Sequence, residues 1–469
     1  MICLTREIHH SSLRIGNSSE HRRFFGQSIL REAPSGERGE MRVAHVLRKY
    51  DPREWGGTET AVRELLGGLR ANNIDSVVYA PHIEGFVDRD QDMLQIDGFD
   101  VRRFHAFVPV IGASAADRKC LEAIGGNIVS LDAPFRLLRE PALDVIHTHA
   151  LNRLGGIARF VARRRRIPFV VTIHGGYLDL PMAAAQKLAA PAKRGVDYGK
   201  PFGLLVRSRR MIADADAVIT VNPREAELLR TKFPDLRVEV VPHGVPVRRY
   251  ARDCRGDAER FLPAILGRTV LLLVGRIDSM KNQGFLVDCM PEIKRRVPNA
   301  LLVVVGPVTD AEHDRYVRSR VRELGLERSV LLPGQLAQDD PRLIGLYQHA
   351  RVFVLPSLCE TFGIVLLEAW ASSCPVIASA TSGARQLVRD GENGLLFQPG
   401  DVPSFLDALD RTLQSEERRK AFGDAGKCMV SSEFDTVVIA RRVRNLYAEL
   451  VEEGRRVGHS VKPQGGVEP

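Results

Sequence analysis

Two glutamates, Glu360 and Glu368, bracket the segment Glu-Thr-Phe-Gly-Ile-Val-Leu-Leu-Glu, which follows the strand-like run VFVLP. Thr361 is placed to cap a helix opening near Phe362-Gly363, and Gly363 lets a ligand approach the backbone closely. The unpaired N–H groups of such a first turn, here Phe362, Gly363, Ile364 and Val365, form a site for an anion or a hydroxyl. Glu368 falls inside the helix among Val365, Leu366, Leu367, Ala369 and Trp370. A carboxylate in that company is costly unless something binds it.

A second group lies in LLLVGRIDSMKNQ, where Arg276 follows a strand at once and Lys281 comes shortly before a helix. Two cations at that place can neutralise a diphosphate leaving group, Arg as a fork and Lys as a point charge. A third is Trp55-Gly56-Gly57-Thr58-Glu59 after the first strand, where paired glycines admit a phosphate or sugar and Thr58 can cap the next helix. It is not GxGxxG, so a dinucleotide cofactor loses its main support. His147 and His149 end DVIHTHA, and His174-Gly175-Gly176 ends PFVVTIH. Residues two apart on a strand share a face, so His147 and His149 are placed to point into a cleft together. No third metal ligand can be fixed beside them, and the expected metal set is none. Asp214 and Asp216 read as a helix end and a turn; Asp88, Asp90 and Asp92 read as a surface loop.

These groups need strands to hold them. Apolar runs at Met41–Leu47, Ser76–Ala80, Val101–His105, Val145–His147, Phe169–Ile173, Ala217–Val221 and Val238–Val241 alternate with helical patterns such as Glu59–Arg70. A second series has strands at Val270–Val274, Leu301–Val305, Val330–Leu332, Val352–Leu355, Val376–Ile377 and Leu395–Phe397. Its helices fit Gln283–Arg296, Ala311–Leu324, Leu343–His349, Ile364–Ala371 and Pro403–Leu413. The pattern predicts an α/β chain of two Rossmann-like, doubly wound halves, each with a parallel sheet covered on both faces. Ligands of such sheets bind beyond the carboxyl ends of the strands, where the groups above lie. The expected divisions are a poorly ordered extension over 1–40, a first domain over 41–245 and a second over 246–434. An amphipathic helix covers 435–453, and a loose tail covers 454–469.

The chain has 469 residues, enough for two cores, with 44% hydrophobic and 27% charged residues. Its start lacks a secretory signal, no run reaches membrane-spanning length, and seven scattered cysteines read as reduced thiols in a cytoplasmic protein. The net charge of +9 is uneven: residues 151–237 carry 17 Lys/Arg against 7 Asp/Glu, densest at Arg163-Arg164-Arg165-Arg166. That surplus reads either as a solvated helix face or as a surface for acidic lipid at the inner membrane face. No nucleic-acid platform accompanies it.

Glu-x7-Glu in this setting resembles the signature of retaining GT-B glycosyltransferases, the family called group 1 or family 4. The resemblance covers about residues 41–453 and includes Pro242-His243-Gly244-Val245, Leu332-Pro333-Gly334 and Asp390-Gly-Glu-Asn-Gly394. It implies two domains facing across a cleft, the acceptor side in 41–245 and the nucleotide-sugar side in 246–434, with the 435–453 helix crossing back to the first. It also implies a nucleotide-sugar donor as co-substrate, no required cofactor, and a sugar or lipid-linked acceptor. Carried over by position, Glu360 contacts the donor sugar and Glu368 the ribose, while Arg276 and Lys281 hold the diphosphate. Gly56, Gly57 and the amides of Phe362–Val365 face the donor. His174 stands beside donor sugar and acceptor, and His147, His149 and Thr58 lie on the acceptor side. Two departures bear on donor preference: His243 and Pro246 stand where Asn and Asp are frequent, and Ser382-Gly383-Ala384-Arg385-Gln386 lacks a glutamate. An epimerase or phosphorylase on the same fold, or a non-catalytic sugar-nucleotide binder, remains open at this stage.

Overall fold

The computed structural model describes residues 41–51, 56–82, 93–112, 114, 117, 121, 127–178 and 195–460. The expected extension over 1–40, Trp55, and Asp88, Asp90 and Asp92 lie outside the described residues.

The first half holds β1 (Met41–Val46), β2 (Ile74–Pro81), β3 (Met93–Ile96), β4 (Phe99–Phe104), β6 (Val145–Thr148), β7 (Phe169–Ile173), β9 (Ala217–Thr220) and β10 (Val238–Val240). Their order across the sheet is β10-β9-β7-β6-β1-β2-β4-β3, parallel except for the antiparallel edge strand β3. A separate two-strand ribbon pairs β5 (Val110–Ile111) with β8 (Val196–Asp197). The second half holds β11 (Thr269–Val274), β12 (Ala300–Val305), β13 (Val330–Gly334), β14 (Val352–Leu355), β15 (Val376–Ser379) and β16 (Gly394–Phe397). They lie in the order β13-β12-β11-β14-β15-β16, all parallel. Strand order reverses between β1 and β6 in one sheet and between β11 and β14 in the other. Each reversal parts two βα connections and leaves a crevice.

Each sheet is packed on both faces, as parallel strands require. Along β12, Leu301, Val303 and Val305 join one core, while Leu302 and Val304 join the other. Along β7, Phe169, Val171 and Ile173 face one side and Val170 the other. That second side is covered by the chain's last helix, Thr436–Ser460, through Ile439, Ala440, Val443, Leu446, Tyr447 and Leu450. Although the helix follows the second half in sequence, its apolar stripe is spent on the first. The chain passes between the halves twice, side by side. Val245 N–H donates to Phe434 O at 2.9 Å, and Thr436 N–H to Val245 O at 3.1 Å.

The last helix continues past Gly454, where a loose tail was expected. Helix Glu416–Glu433 was not expected. Its apolar residues are sparse and buried by contact with helix Ile364–Ala371, where Gly426 lies against the Trp370 ring.

Candidate active site

On the second half, the loop after β11 and the loop after β14 meet at the reversal of strand order. Asp278 shapes the first: its carboxylate accepts Met280 N–H at 3.0 Å and Lys281 N–H at 3.1 Å. The turn sends the Lys281 ammonium onto the Glu360 carboxylate, a direct ion pair with both side chains largely buried. Arg276 pairs with Asp278 at 3.1 Å and remains 55% exposed, so its guanidinium is open to a ligand.

The second loop is held from behind. Gly383 N–H and Ser382 Oγ–H both donate to Glu360 O, at 2.8 and 3.2 Å. A Cβ at Gly383 would stand 2.5 Å from Phe362 N, so only glycine fits. Helix Ile364–Ala371 opens from Gly363 at φ 96°, a left-handed cap with no side-chain hydrogen bond. This corrects the expected Thr361 cap: the cap is Gly363, and the opening amides are left without a side-chain acceptor. The helix is anchored at its far end by Trp370 Nε1–H donating to Asn393 O at 2.8 Å, a role for the Asp390–Gly394 turn.

Glu368 is 4% exposed and accepts hydrogen bonds from Tyr347 Oη–H at 2.7 Å and from the Gln338 amide. Burial raises its pKa, and those two donors partly offset the rise. The protein therefore already supplies two partners for this carboxylate. Gln338 Oε1 is itself buried without a partner.

On the first half, the crevice wall is a string of imidazoles. His45 Nδ1 lies 3.1 Å from His149 Nε2, and His149 Nδ1 lies 3.0 Å from His174 Nε2. His174 stacks on His243, whose ring meets Phe362 of the other half edge-on at 5.1 Å. Burial lowers the pKa of each, to about 3 for His45 and about 4 for His243. For His149 and His174 the neighbouring imidazoles lower it further, and for His174 so does Arg48. All four are neutral at physiological pH; the hydrogen bonds run from His45 through His149 to His174, whose Nδ1 is buried without a partner.

His147 departs from expectation. It is fully buried, with Nδ1 2.5 Å from Tyr447 Oη and Nε2 2.6 Å from Thr172 Oγ1. It fastens the last helix to the sheet and does not face the crevice with His149. β6 ends at Thr148, so His149 lies past the strand and escapes its alternation. His45, His147 and His149 present ring nitrogens within 4.8 Å of one another. Hydroxyls occupy both nitrogens of His147, so hydrogen bonding accounts for its place there.

Gly56 caps helix Gly57–Ala71, and the Glu59 carboxylate accepts Gly56 N–H at 3.1 Å while lying 3.4 Å from Arg48. Glu59 thus closes the turn that was assigned to Thr58, which is one residue inside the helix. A Cβ at Gly57 would meet nothing within 4 Å, so this turn faces open space. Across the crevice, Asn222 Nδ2–H donates to Thr361 O at 3.2 Å, and Arg63 lies 3.2 Å from Asp339. Gly175, at φ 105°, packs so closely that a Cβ would stand 2.7 Å from Thr361 Oγ1.

Arg276, Lys281, Glu360 and the opening of the 364–371 helix are therefore gathered on one wall, with His174 and His149 on the other. Sequence reasoning missed His45, Gln338 and Tyr347. A single histidine in VAHVL and a tyrosine on a helix face both read as core, and only their contacts set them apart. Asp214 and Asp216 serve structure: Asp214 pairs with Arg159 and Arg210, and Asp216 accepts Phe169 N–H at 2.8 Å.

Comparison with known proteins agrees with this architecture. Residues 56–244 match the family described as "Glycosyl transferase 4-like domain", and residues 257–429 match "Glycosyl transferases group 1". The fold is shared with solved GT-B glycosyltransferases. A sucrose-phosphate synthase from Thermosynechococcus elongatus superposes with TM-score 0.66 at 23% identity, over 88% of this chain and all of that one. Anabaena Alr3699/HepE in complex with UDP and glucose superposes with TM-score 0.63 at 17% identity, over 87% of this chain and all of that one. Among sequence relatives, the D-inositol 3-phosphate glycosyltransferase of Corynebacterium aurimucosum is 34% identical over 350 residues, 71% of this chain and 76% of that protein. The one from Nocardia farcinica is 32% identical over 288 residues, 60% of this chain and 61% of that protein's length. The chain belongs to the group 1 glycosyltransferases, with the GT-B fold.

Proposed function

We propose that the protein transfers a hexose from a UDP- or GDP-linked donor to a hydroxyl of a sugar or lipid-linked acceptor, with retention of anomeric configuration and without a metal ion. The observation that carries the reading is the meeting of Lys281 with Glu360 beside the opening of helix Ile364–Ala371, whose Gly363 cap offers no side-chain acceptor, with the Arg276 guanidinium exposed next to it. Arg276, Lys281 and the opening amides hold the diphosphate and take up its charge as the anomeric C–O bond breaks. Lys281 then turns from Glu360 toward phosphate, and Glu360 is released to the donor sugar's hydroxyls. Glu368 holds the ribose. The acceptor enters on the leaving group's face, and its proton passes to a diphosphate oxygen. Neutral His174 positions a sugar hydroxyl.

Support for the donor class comes from the solved relative that holds UDP and glucose. The named relatives, which act on D-inositol 3-phosphate, support a hydroxyl acceptor. No described helix is long and apolar enough to cross a membrane. We place the reaction at the cytoplasmic membrane face. The test is a thermal-shift screen of UDP-, GDP- and ADP-sugars, in which a donor at a hundred times its Kd stabilises by about 2.7 kcal/mol. With that donor, nucleoside diphosphate is expected to appear in step with glycosylated acceptor, whose anomeric configuration is read by NMR. Donor turnover to an isomeric nucleotide-sugar, with no diphosphate released, would mean an epimerase instead.

A further inference from the structure

The densest basic run is partly consumed by the fold. Arg163 donates to Asp214 O at 2.6 Å, and Arg165 donates to the carbonyls of Leu137 and Glu140. The run ends helix Asn152–Arg165, where cations meet the last carbonyls and the negative end of the helix dipole.

The same basic segment shows a different surface elsewhere. In the β5–β8 ribbon, Ile111 lies opposite Val196, and beside it Phe107 stacks on Tyr198 with ring centroids 6.4 Å apart. Helix Lys200–Leu205 follows at once and carries Leu204 and Leu205. These six large apolar side chains are between 46% and 75% exposed. Among the described residues, the exposed charges that follow Tyr198 in the chain, as far as residue 213, are cations. Lys200, Arg207 and Arg209 are exposed, and residues 198–213 contain no Asp or Glu. The neighbouring Asp197 is neutralised by Arg153 and accepts Gly199 N–H at 2.9 Å. An exposed apolar patch beside uncompensated cations matches one chemistry, an anionic leaflet whose acyl boundary takes the apolar groups and whose phosphates take the cations.

We infer that the face built from Phe107, Ile111, Val196, Tyr198, Leu204 and Leu205, with Lys200, Arg207 and Arg209, docks the protein on an anionic lipid surface. The ribbon follows the carboxyl end of β4, and its partner strand and the helix follow that of β7, the edge of the first sheet on which the crevice lies. Docking there brings a lipid-linked acceptor to His174. That use rests on the acceptor reading above; the binding itself does not.

The experiment is co-sedimentation of the full chain with phosphatidylcholine vesicles, with and without phosphatidylglycerol, in the absence of donor. Binding is expected only with phosphatidylglycerol, and it weakens as salt screens the cations. Leu204→Glu/Leu205→Glu is expected to lower the partition coefficient by roughly tenfold or more. Lys200→Glu/Arg209→Glu, which leaves the apolar groups in place, is a second variant should the first fail to fold. Transfer to a soluble acceptor is expected to be unchanged in both. Binding by folded variants equal to that of the parent overturns the inference, and so does equal binding to phosphatidylcholine alone. A dimer seen by light scattering and broken by the leucine variant overturns it in favour of a second copy of this chain. Absent transfer with every donor, alongside intact vesicle binding, would remove the enzymatic reading and leave the docking face.

Discussion

The two walls of the crevice are built from different electrostatics. On the second sheet the side chains carry fixed charges in pairs, Lys281 on Glu360 and Arg276 beside Asp278. On the first sheet the polar groups are imidazoles held neutral by burial, running from His45 through His149 and His174 to His243. A wall that meets a diphosphate gains from cations whose counter-ions can be exchanged. A wall that meets sugar hydroxyls gains from donors and acceptors that bring no competing charge and fix direction. The difference also sets which wall is vulnerable: charge pairs fail by substitution, buried neutral imidazoles fail by protonation.

The largest expected effect is on the buried imidazoles of the neutral wall and of His147 behind it. His45, His147 and His149 have folded pKa values depressed below the unfolded value near 6.5, so the unfolded chain binds more protons once the pH falls below it. Their contribution is complete above that pH and is lost as it drops, by up to about 1.4 kcal/mol per pH unit for each imidazole. Urea unfolding at about pH 7.5 and 5.5 measures the slope, and His45→Leu should flatten it by about one such increment. A stability that does not change across this range would mean the imidazoles are not held neutral. On the charged wall, Lys281→Ala should lower kcat/KM by roughly 10²–10³-fold, about 2.7–4 kcal/mol. Near-parental turnover would break the assignment of that wall to the diphosphate.

Gly175→Ala tests where the walls touch. Its backbone is at φ 105° and its Cβ would meet Thr361, so a cost of order 1–3 kcal/mol in stability is expected. Thr361→Gly added to it should relieve the contact and leave the backbone strain. The smallest effect belongs to Asp339→Ala, which removes the half-exposed partner of Arg63 across the crevice and leaves Arg63 its pair with Glu64; under about 1 kcal/mol is expected in thermal unfolding. A larger loss would show that this pair, rather than the Gly175–Thr361 contact, holds the walls together.

Much of the scaffold was legible because parallel sheets write themselves as short apolar runs. Phe169–Ile173 and Val352–Leu355 read from the chain match β7 and β14 in both limits. The edge strand β3 was not, since MLQI is short and pairs on one side only. The candidate site was readable where a motif is contiguous, as over Glu360–Glu368, and unreadable where a role depends on distant partners. His147 and His149 look equivalent two residues apart; Tyr447 and Thr172 claim one, and His45 and His174 hold the other. The basic run shows the same limit, because Asp214 and the carbonyls of Leu137 and Glu140 are invisible from Arg163–Arg166.

Local periodicity, turn chemistry and the spacing of charged groups after strands were determined by the sequence itself, because each depends on residues within a few positions of one another. Tertiary structure alone decided which imidazole faces the crevice, which arginines stay free, and that the last helix covers the first sheet. Those outcomes depend on desolvation and on hydrogen-bond partners up to 300 residues away, and neither exists until the chain has closed on itself.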